Sequence, residues 1–378
     1  MLSFSHWAPS NSGCIKSFLF ALTIATPTAF AQTPTASAGA ALSPRVEAFF
    51  DSAVFYGDFR YRLEGDRKRP DEPNRWRSRL RLRLGANHSV RNDLLVGARL
   101  TTGPKDGARD SNASNGGEFS KLELNLDRLF LTWTPDEAKE CFATLGKFAH
   151  TFQRNPVYEE LVWYSDVQPE GVLFGKESHE LGPLDRLRLQ GGYYIYSERA
   201  EDDIRIAVAE IMTEKRLSTS TRGNLSAAWY GYENASLSPS ATSNHYQIID
   251  TIAALMTEFD EVPWRFSAEG ISNLSATGSS ANGWALGLSR GATRLQGDWR
   301  AYYQYQEIGN DAVFAPVANG DFLLDHNFRG HVANFDYVLA RDVTFRTRFL
   351  SAEPLDSSLA GGNSDTTYRL RLELIVKF

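Results

Sequence analysis

Cysteine is nearly absent: Cys14 and Cys141 are the two present among 378 residues. Cys14 precedes the first apolar run instead of following it, which does not fit a lipid-attachment cysteine. Once a leader is removed, Cys141 stands alone and no internal disulfide can form. Long apolar runs are scarcer still. After residue 31 no stretch approaches the ~20 residues that a membrane-spanning helix needs, which excludes a helical membrane protein. No Cys/His metal spacing, glycine-rich phosphate loop or nucleic-acid motif appears, so no metal, cofactor or nucleic-acid partner is expected. A basic excess is missing too, with 40 Lys and Arg against 46 Asp and Glu.

What is present begins with a secretion signal. Lys16 precedes the apolar run Ser17–Phe30, and Ala29-Phe30-Ala31 has the small-x-small form that signal peptidase cuts, leaving Gln32 first. A buried apolar helix is the other reading of this run. Residues 1–31 are expected to be a signal peptide, 32–52 a flexible periplasmic lead-in of small, Pro-containing sequence, and 53–378 the folded part. Lys16 is the one Lys, Arg, Asp or Glu before residue 32, so the processed chain keeps 39 basic against 46 acidic groups. Any clustering of arginines then means segregated charge, not a basic protein.

The arginines do cluster, in Arg75-Trp-Arg-Ser-Arg-Leu-Arg-Leu-Arg-Leu-Gly85. Trp76, Ser78, Leu80, Leu82 and Leu84 share one face; Arg75, Arg77, Arg79, Arg81 and Arg83 share the other. A period of two means a β-strand, because successive side chains point to opposite faces of the pleat. In a soluble sandwich such a ladder would crowd like charges on one face. A membrane barrel offers lipid to the leucines and a wet lumen to the arginines.

The same alternation recurs along the chain, from Ala53–Glu64 through Leu94–Thr102 and Asn282–Gly291 to Phe328–Ala340 and Thr366–Phe378. About sixteen strands are expected, and connector length tracks their parity: long and polar (103–119, 150–169, 309–327) alternating with short (91–93, 341–342). That asymmetry belongs to barrels with long external loops and short periplasmic turns. The short strand Glu170–Glu177, an indistinct turn at Lys215–Leu217 and a face switch near Asp127 leave fourteen or eighteen strands open. In the last strand Tyr368, Leu370, Leu372, Leu374, Val376 and Phe378 share a face, and a terminal Phe there resembles the assembly signal of outer-membrane proteins.

These segments resemble the Putative porin family of Gram-negative outer-membrane β-barrels. The likeness lies in Tyr56-Gly-Asp-Phe-Arg60, Arg79-Leu-Arg-Leu-Arg-Leu-Gly85, Gly97-Ala-Arg-Leu-Thr-Thr-Gly103, Leu126-Asp-Arg128, Leu131-Thr-Trp133 and Leu145-Gly-Lys-Phe148. Leu161-Val-Trp163 with Asp166 and Pro169-Glu-Gly171 is similar to the family's external loop. It is densest over residues 54–175. The resemblance implies a passive diffusion channel for small hydrophilic solutes in the bacterial outer membrane. It also implies outer-membrane lipid and the barrel-assembly machinery as partners, with a homotrimer as an option general porins often take. Residues 32–52 are too short for the coiled coil some members carry.

Barrel closure would place Arg346, Arg348, Arg369, Arg371, Arg60, Arg62, Arg75, Arg77, Arg79, Arg81, Arg83 and Arg99 on one pore-lining wall. Opposite it, the third long connector carries Glu159, Glu160 and Asp166, with Glu170 just after. If that connector folds inward, it forms an acidic constriction; if outward, its acids are merely solvated. A net basic wall would favour anions. Pairing with Asp58, Glu64, Glu123 and Glu373 would instead make the arginines structural. An enzyme is not expected, because none of His88, His150, His179, His245, His326 and His331 sits at catalytic spacing from a Ser or Asp partner. The nonchannel alternative is a structural or adhesive barrel with a closed lumen.

Overall fold

The computed structural model of the chain describes residues 52–68, 73–239, 241–243 and 245–378. The expected signal peptide, and all of the lead-in but Ser52, lie outside these residues. Sixteen strands run as an antiparallel meander: β1 (Ala53–Arg67), β2 (Arg75–Arg91), β3 (Leu94–Thr102), β4 (Leu124–Trp133), β5 (Cys141–Lys147), β6 (Glu170–Leu181), β7 (Leu184–Ser197) and β8 (Ile204–Arg216), then β9 (Arg222–Glu233), β10 (Tyr246–Phe259), β11 (Val262–Asn273), β12 (Asn282–Gly291), β13 (Trp299–Ile308), β14 (Phe328–Ala340), β15 (Val343–Pro354) and β16 (Thr367–Lys377). β16 returns to β1 in the register Asp58↔Lys377 to Arg67↔Tyr368, so the sheet closes on itself and exposes no edge. One additional two-residue strand, Ala113–Ser114, pairs with Arg79 and Leu80 of β2 beyond the end of β3.

Alternation builds every wall segment. In β14, Phe328, Gly330, Val332, Asn334, Asp336 and Val338 are buried, and the residues between them are exposed. The outward face is apolar over the whole meander, including Phe59, Leu84, Leu129, Phe174, Ile211, Leu286, Phe335 and Leu374. Such a band suits lipid, and the inward charges then need no place in it. The expected face switch is a β-bulge: Arg99 pairs with Arg128 and Leu100 with Leu126, leaving Asp127 as the extra residue. The indistinct turn lies at 217–221, closed by Leu217 N–H donating to the Thr221 carbonyl (2.9 Å).

One end of the barrel carries two-residue turns at 92–93, 182–183, 260–261 and 341–342. Asp260 and Glu261 both have positive φ (50° and 64°), the geometry that matches the twist of a tight hairpin. The other end carries the long connectors, and three of them enter the barrel. Phe148, Phe152, Leu161, Val162, Trp163, Val313, Phe314 and Val317, from connectors 148–169 and 309–327, are no more than 3% exposed. They pack on the inward faces of β7 to β10, where Tyr194, Ile206, Tyr230, Tyr232, Tyr246 and Ile248 complete a hydrophobic core inside the barrel. Of the two expectations for connector 150–169 the inward one holds, and removing these aromatics from water is what draws the connectors in.

At the seam, Gly57 N–H donates to the Phe378 carbonyl (2.7 Å) and Phe378 N–H to that of Gly57 (3.1 Å). A Cβ on Gly57 would come within 2.6 Å of the Phe378 ring. Phe378→Asp is expected to cut the yield of heat-resistant barrel in membranes severalfold, read by gel mobility without boiling; undiminished yield would remove Phe378 from assembly. Leu82→Arg on the outward face should block insertion, since a charge near midplane costs roughly 2–4 kcal/mol, whereas Arg81→Gln, one residue away but inward, should still insert.

Candidate functional site

Closure sets β15, β16, β1, β2 and β3 side by side, so that Arg348 lies opposite Arg371, Arg62 opposite Arg79, and Arg60 opposite Arg81. Arg60, Arg62, Arg79, Arg81, Arg99, Arg348, Arg369 and Arg371 are buried in the lumen. Arg77, Arg83 and Arg346 are half-buried, and Arg75 is exposed where β2 begins. Acids are interleaved among them. Asp58 bridges Arg81 (2.7 Å) and Arg83 (2.5 Å); Glu64 bridges Arg77 (2.5 Å) and Arg371 (2.7 Å). Asp66 takes Arg77 (3.0 Å) and Arg369 (2.7 Å), Glu373 takes Arg62 (2.5 Å), and Asp336 takes Arg346 (2.6 Å). Arg99 pairs with the bulged Asp127. Glu123, the fourth acid expected to pair, is exposed, accepts from the Lys105 N–H at 3.3 Å and makes no ion pair among the described residues.

Connector 148–169 folds inward and is held by strand carboxylates. Glu269 on β11 accepts Leu161 N–H (2.5 Å) and Asn155 Nδ2 (2.9 Å), and Glu210 on β8 accepts Gln153 N–H. Arg300 on β13 donates to the Val157 carbonyl at 2.7 Å. Of its acids, Asp166 faces Arg83 (3.5 Å) and Arg81 (3.9 Å) and accepts Ser111 Oγ (2.7 Å). Burial alone would raise its pKa, but Arg81, Arg60 and Arg83 outweigh that and hold it below the usual carboxylate range. Glu159 accepts Ser165 Oγ (3.0 Å). Glu160 is buried without a hydrogen bond, and Arg154 at 3.8 Å is its ion-pair partner. Burial pushes its pKa well up; Arg154 offsets part, while Glu159, Glu269 and Glu210 add to it. Glu170 does not join them. It opens β6 on the outward face beside Lys147 (2.6 Å), because the strand's alternation has already begun there.

Two further connectors reach the wall. Asp110 of 103–123 pairs with Arg79, and Asn112 Oδ1 accepts from Arg60 at 2.6 Å. In 309–327, Asp321 takes Arg348 (2.6 Å) and Arg371 (2.5 Å) and accepts the hydroxyls of Tyr158 (2.5 Å) and Tyr164 (2.8 Å). Sequence reasoning missed Asp321. The available signal was the apolar run Ala312-Val-Phe-Ala-Pro-Val-Ala318, out of place in a solvated loop.

Between the wall and these connectors lies a cavity of about 480 Å³, lined by Arg60, Arg62, Arg81, Arg83, Arg99, Arg128, Arg154, Arg346 and Arg348 with Glu159, Asp166, Tyr164 and His150. Arg128 and Arg154 were not anticipated. Arg128 Nε donates to Gln168 Oε1 (2.8 Å) and makes no ion pair among the described residues.

The Putative porin family model matches residues 66–198 and 230–378. The chain belongs to the Putative porin family. It is therefore an outer-membrane channel protein, located in the bacterial outer membrane. The family match extends well past residue 175, where the sequence resemblance thinned. Similar solved structures include Pseudomonas putida OprB at high pH (TM-score 0.60, 12% identity, 88% of this chain and 96% of that one). Salmonella typhi OmpF in complex with daunomycin gives TM-score 0.56 at 11% identity, over 86% of this chain and 97% of that one. OprB at low pH gives 0.53 at 11% identity, over 88% and 95%. At such identities these likenesses concern the fold. None of the curated proteins compared matches this porin.

Glu160 yields a pH prediction. Its folded pKa is raised, so its stabilising contribution is full below the unfolded value near 4.3 and is lost as pH rises through the folded value. Glu160→Gln should therefore stabilise the detergent-solubilised porin at pH 7.5, because the carboxamide carries no charge to hold away from water. The gain should vanish below about pH 4. Thermal unfolding at the two pH values checks it; equal stability at pH 7.5 would show that Glu160 is satisfied.

Proposed function

We propose that this porin passes small hydrophilic solutes down their gradients through the arginine-lined cavity, with a preference for anions. One observation carries the reading: nine arginines line the cavity against the two carboxylates Glu159 and Asp166. Acids behind the lining do not cancel all of them, because carboxylates are shared. Asp58 serves Arg81 and Arg83, and Glu373 serves Arg60, Arg62 and Arg346. Basic rings of this kind are how pores favour anions. On this reading the basic residues named from sequence are pore-lining, Arg75 at the margin, and no catalysis or cofactor is involved. Residues 1–31 act as a signal peptide and 32–52 as a periplasmic lead-in. Phe378 is read by the barrel-assembly machinery, and the porin sits in outer-membrane lipid, alone or as a homotrimer.

A second reading has its own support. The hydrophobic core formed by connectors 148–169 and 309–327 fills part of the lumen, as in a structural or adhesive barrel that conducts nothing.

Planar-bilayer recording in a salt gradient separates the two: a reversal potential on the anion side supports the channel, and zero conductance supports the closed barrel. Arg128→Gln tests the cavity itself. A unit charge ~10 Å from an ion in water contributes about 0.4 kcal/mol, so the anion-to-cation permeability ratio should fall roughly two- to fourfold. An unchanged ratio would place the selective constriction elsewhere.

A further inference from the structure

We infer that Asp321, brought into the lumen by connector 309–327, determines selectivity by neutralising Arg348 at the cavity's edge while tying both inward connectors to the wall. The inference rests on the channel reading above. Arg348 lines the cavity, and among the described residues Asp321 is its one carboxylate within 4.0 Å. Its other close contacts include Asn334 Oδ1 at 3.3 Å and the Tyr158 ring, 5.1 Å from centroid to guanidinium, while Glu373 and Asp336 act on it from farther off. Arg371, by contrast, also has Glu64 at 2.7 Å. Loss of Asp321 therefore leaves Arg348, and not Arg371, without a carboxylate within 4.0 Å among the described residues.

The same residue joins separate parts of the fold. Its carboxylate accepts Tyr158 and Tyr164 of connector 148–169, and its carbonyl accepts Arg369 Nη1 at 2.7 Å. Tyr164 N–H donates to the Val317 carbonyl (2.8 Å), so the two connectors also meet through backbone. Asp321 is itself 1% exposed, and the Asn319 side chain accepts its N–H at 3.0 Å, fixing the turn that presents it. Nothing in this arrangement is solvated enough to be incidental: a buried carboxylate holding two guanidiniums and two phenols is costly to assemble unless the geometry holds.

The test compares Asp321→Asn, Arg348→Gln and the double variant with the wild type in a bilayer salt gradient. Asp321→Asn should raise the anion-to-cation permeability ratio roughly two- to fourfold, the effect of one charge about 10 Å from the ion path. Arg348→Gln should lower it by a similar factor, and the double variant should return near the wild-type value. A purely structural role would not produce opposite shifts that cancel. Shifts in the same direction, or none, overturn the inference; if Asp321→Asn fails to assemble, Arg348→Gln alone still decides the sign. The tie is read without conductance. With Cys141→Ala, Ala318→Cys (0% exposed) should resist a bulky maleimide in the purified porin and react severalfold faster once Asp321→Asn is added. Equal reactivity overturns the tie. If no variant conducts, the channel reading and the selectivity role fall together, whereas faster labelling would still uphold the tie.

Discussion

Guanidinium charge cannot face lipid, and the rest of this structure follows from giving it somewhere else to go. A charge near the bilayer midplane costs roughly 2–4 kcal/mol, and β2 alone carries Arg75, Arg77, Arg79, Arg81 and Arg83. Closure of β16 onto β1 supplies an interior, but an interior is itself expensive for charge unless ions are paired. The answer is interleaving. Asp58, Glu64, Asp66 and Glu373 sit on the inward faces of β1 and β16; Glu64, Asp66 and Glu373 reach arginines on both neighbouring strands, and Asp58 takes two on β2. Each carboxylate that bridges two arginines removes part of the repulsion that a bare ladder would suffer.

The interior divides into two chemistries because the strands do. From β15 round to β3 the inward residues include most of the arginines and their acids; from β7 to β10 they include Tyr194, Ile206, Tyr230, Tyr246 and Ile248. Connector 148–169 is built to satisfy both sides. Leu161, Val162 and Trp163 enter the apolar side, and Asp166, a few residues on, meets Arg81 and Arg83. Connector 309–327 repeats the device, Phe314 packing on Tyr232 with ring centroids 4.8 Å apart while Asp321 reaches the arginines. The cavity is what remains between these fillings, which is why its lining is dominated by arginine.

Much of the fold was legible in the residues. Leu94–Thr102, Asn282–Gly291 and Phe328–Ala340 fall where alternation placed them, and the arginine face of β2 turns inward as its leucine face required. The misses have local causes. By parity with Leu124 and Leu126, Arg128 would point outward; the bulge at Asp127 resets the count and brings both residues in. Glu170, expected to open a strand beside the connector's acids, lies on that strand's outward face opposite Lys147.

Away from the bulge at Asp127, the sequence by itself determined which face a strand residue takes, because a period of two is a local property of the pleat. It also determined that the chain is a barrel, since alternation between apolar and charged faces suits lipid on one side and a polar interior on the other. Only the tertiary structure decided which acid meets which arginine. Asp321 lies 27 residues from Arg348 and 50 from Arg371, inside a connector with no repeat to position it. Its partners are fixed by how two connectors pack against each other within a closed wall, and no periodicity along the chain records that.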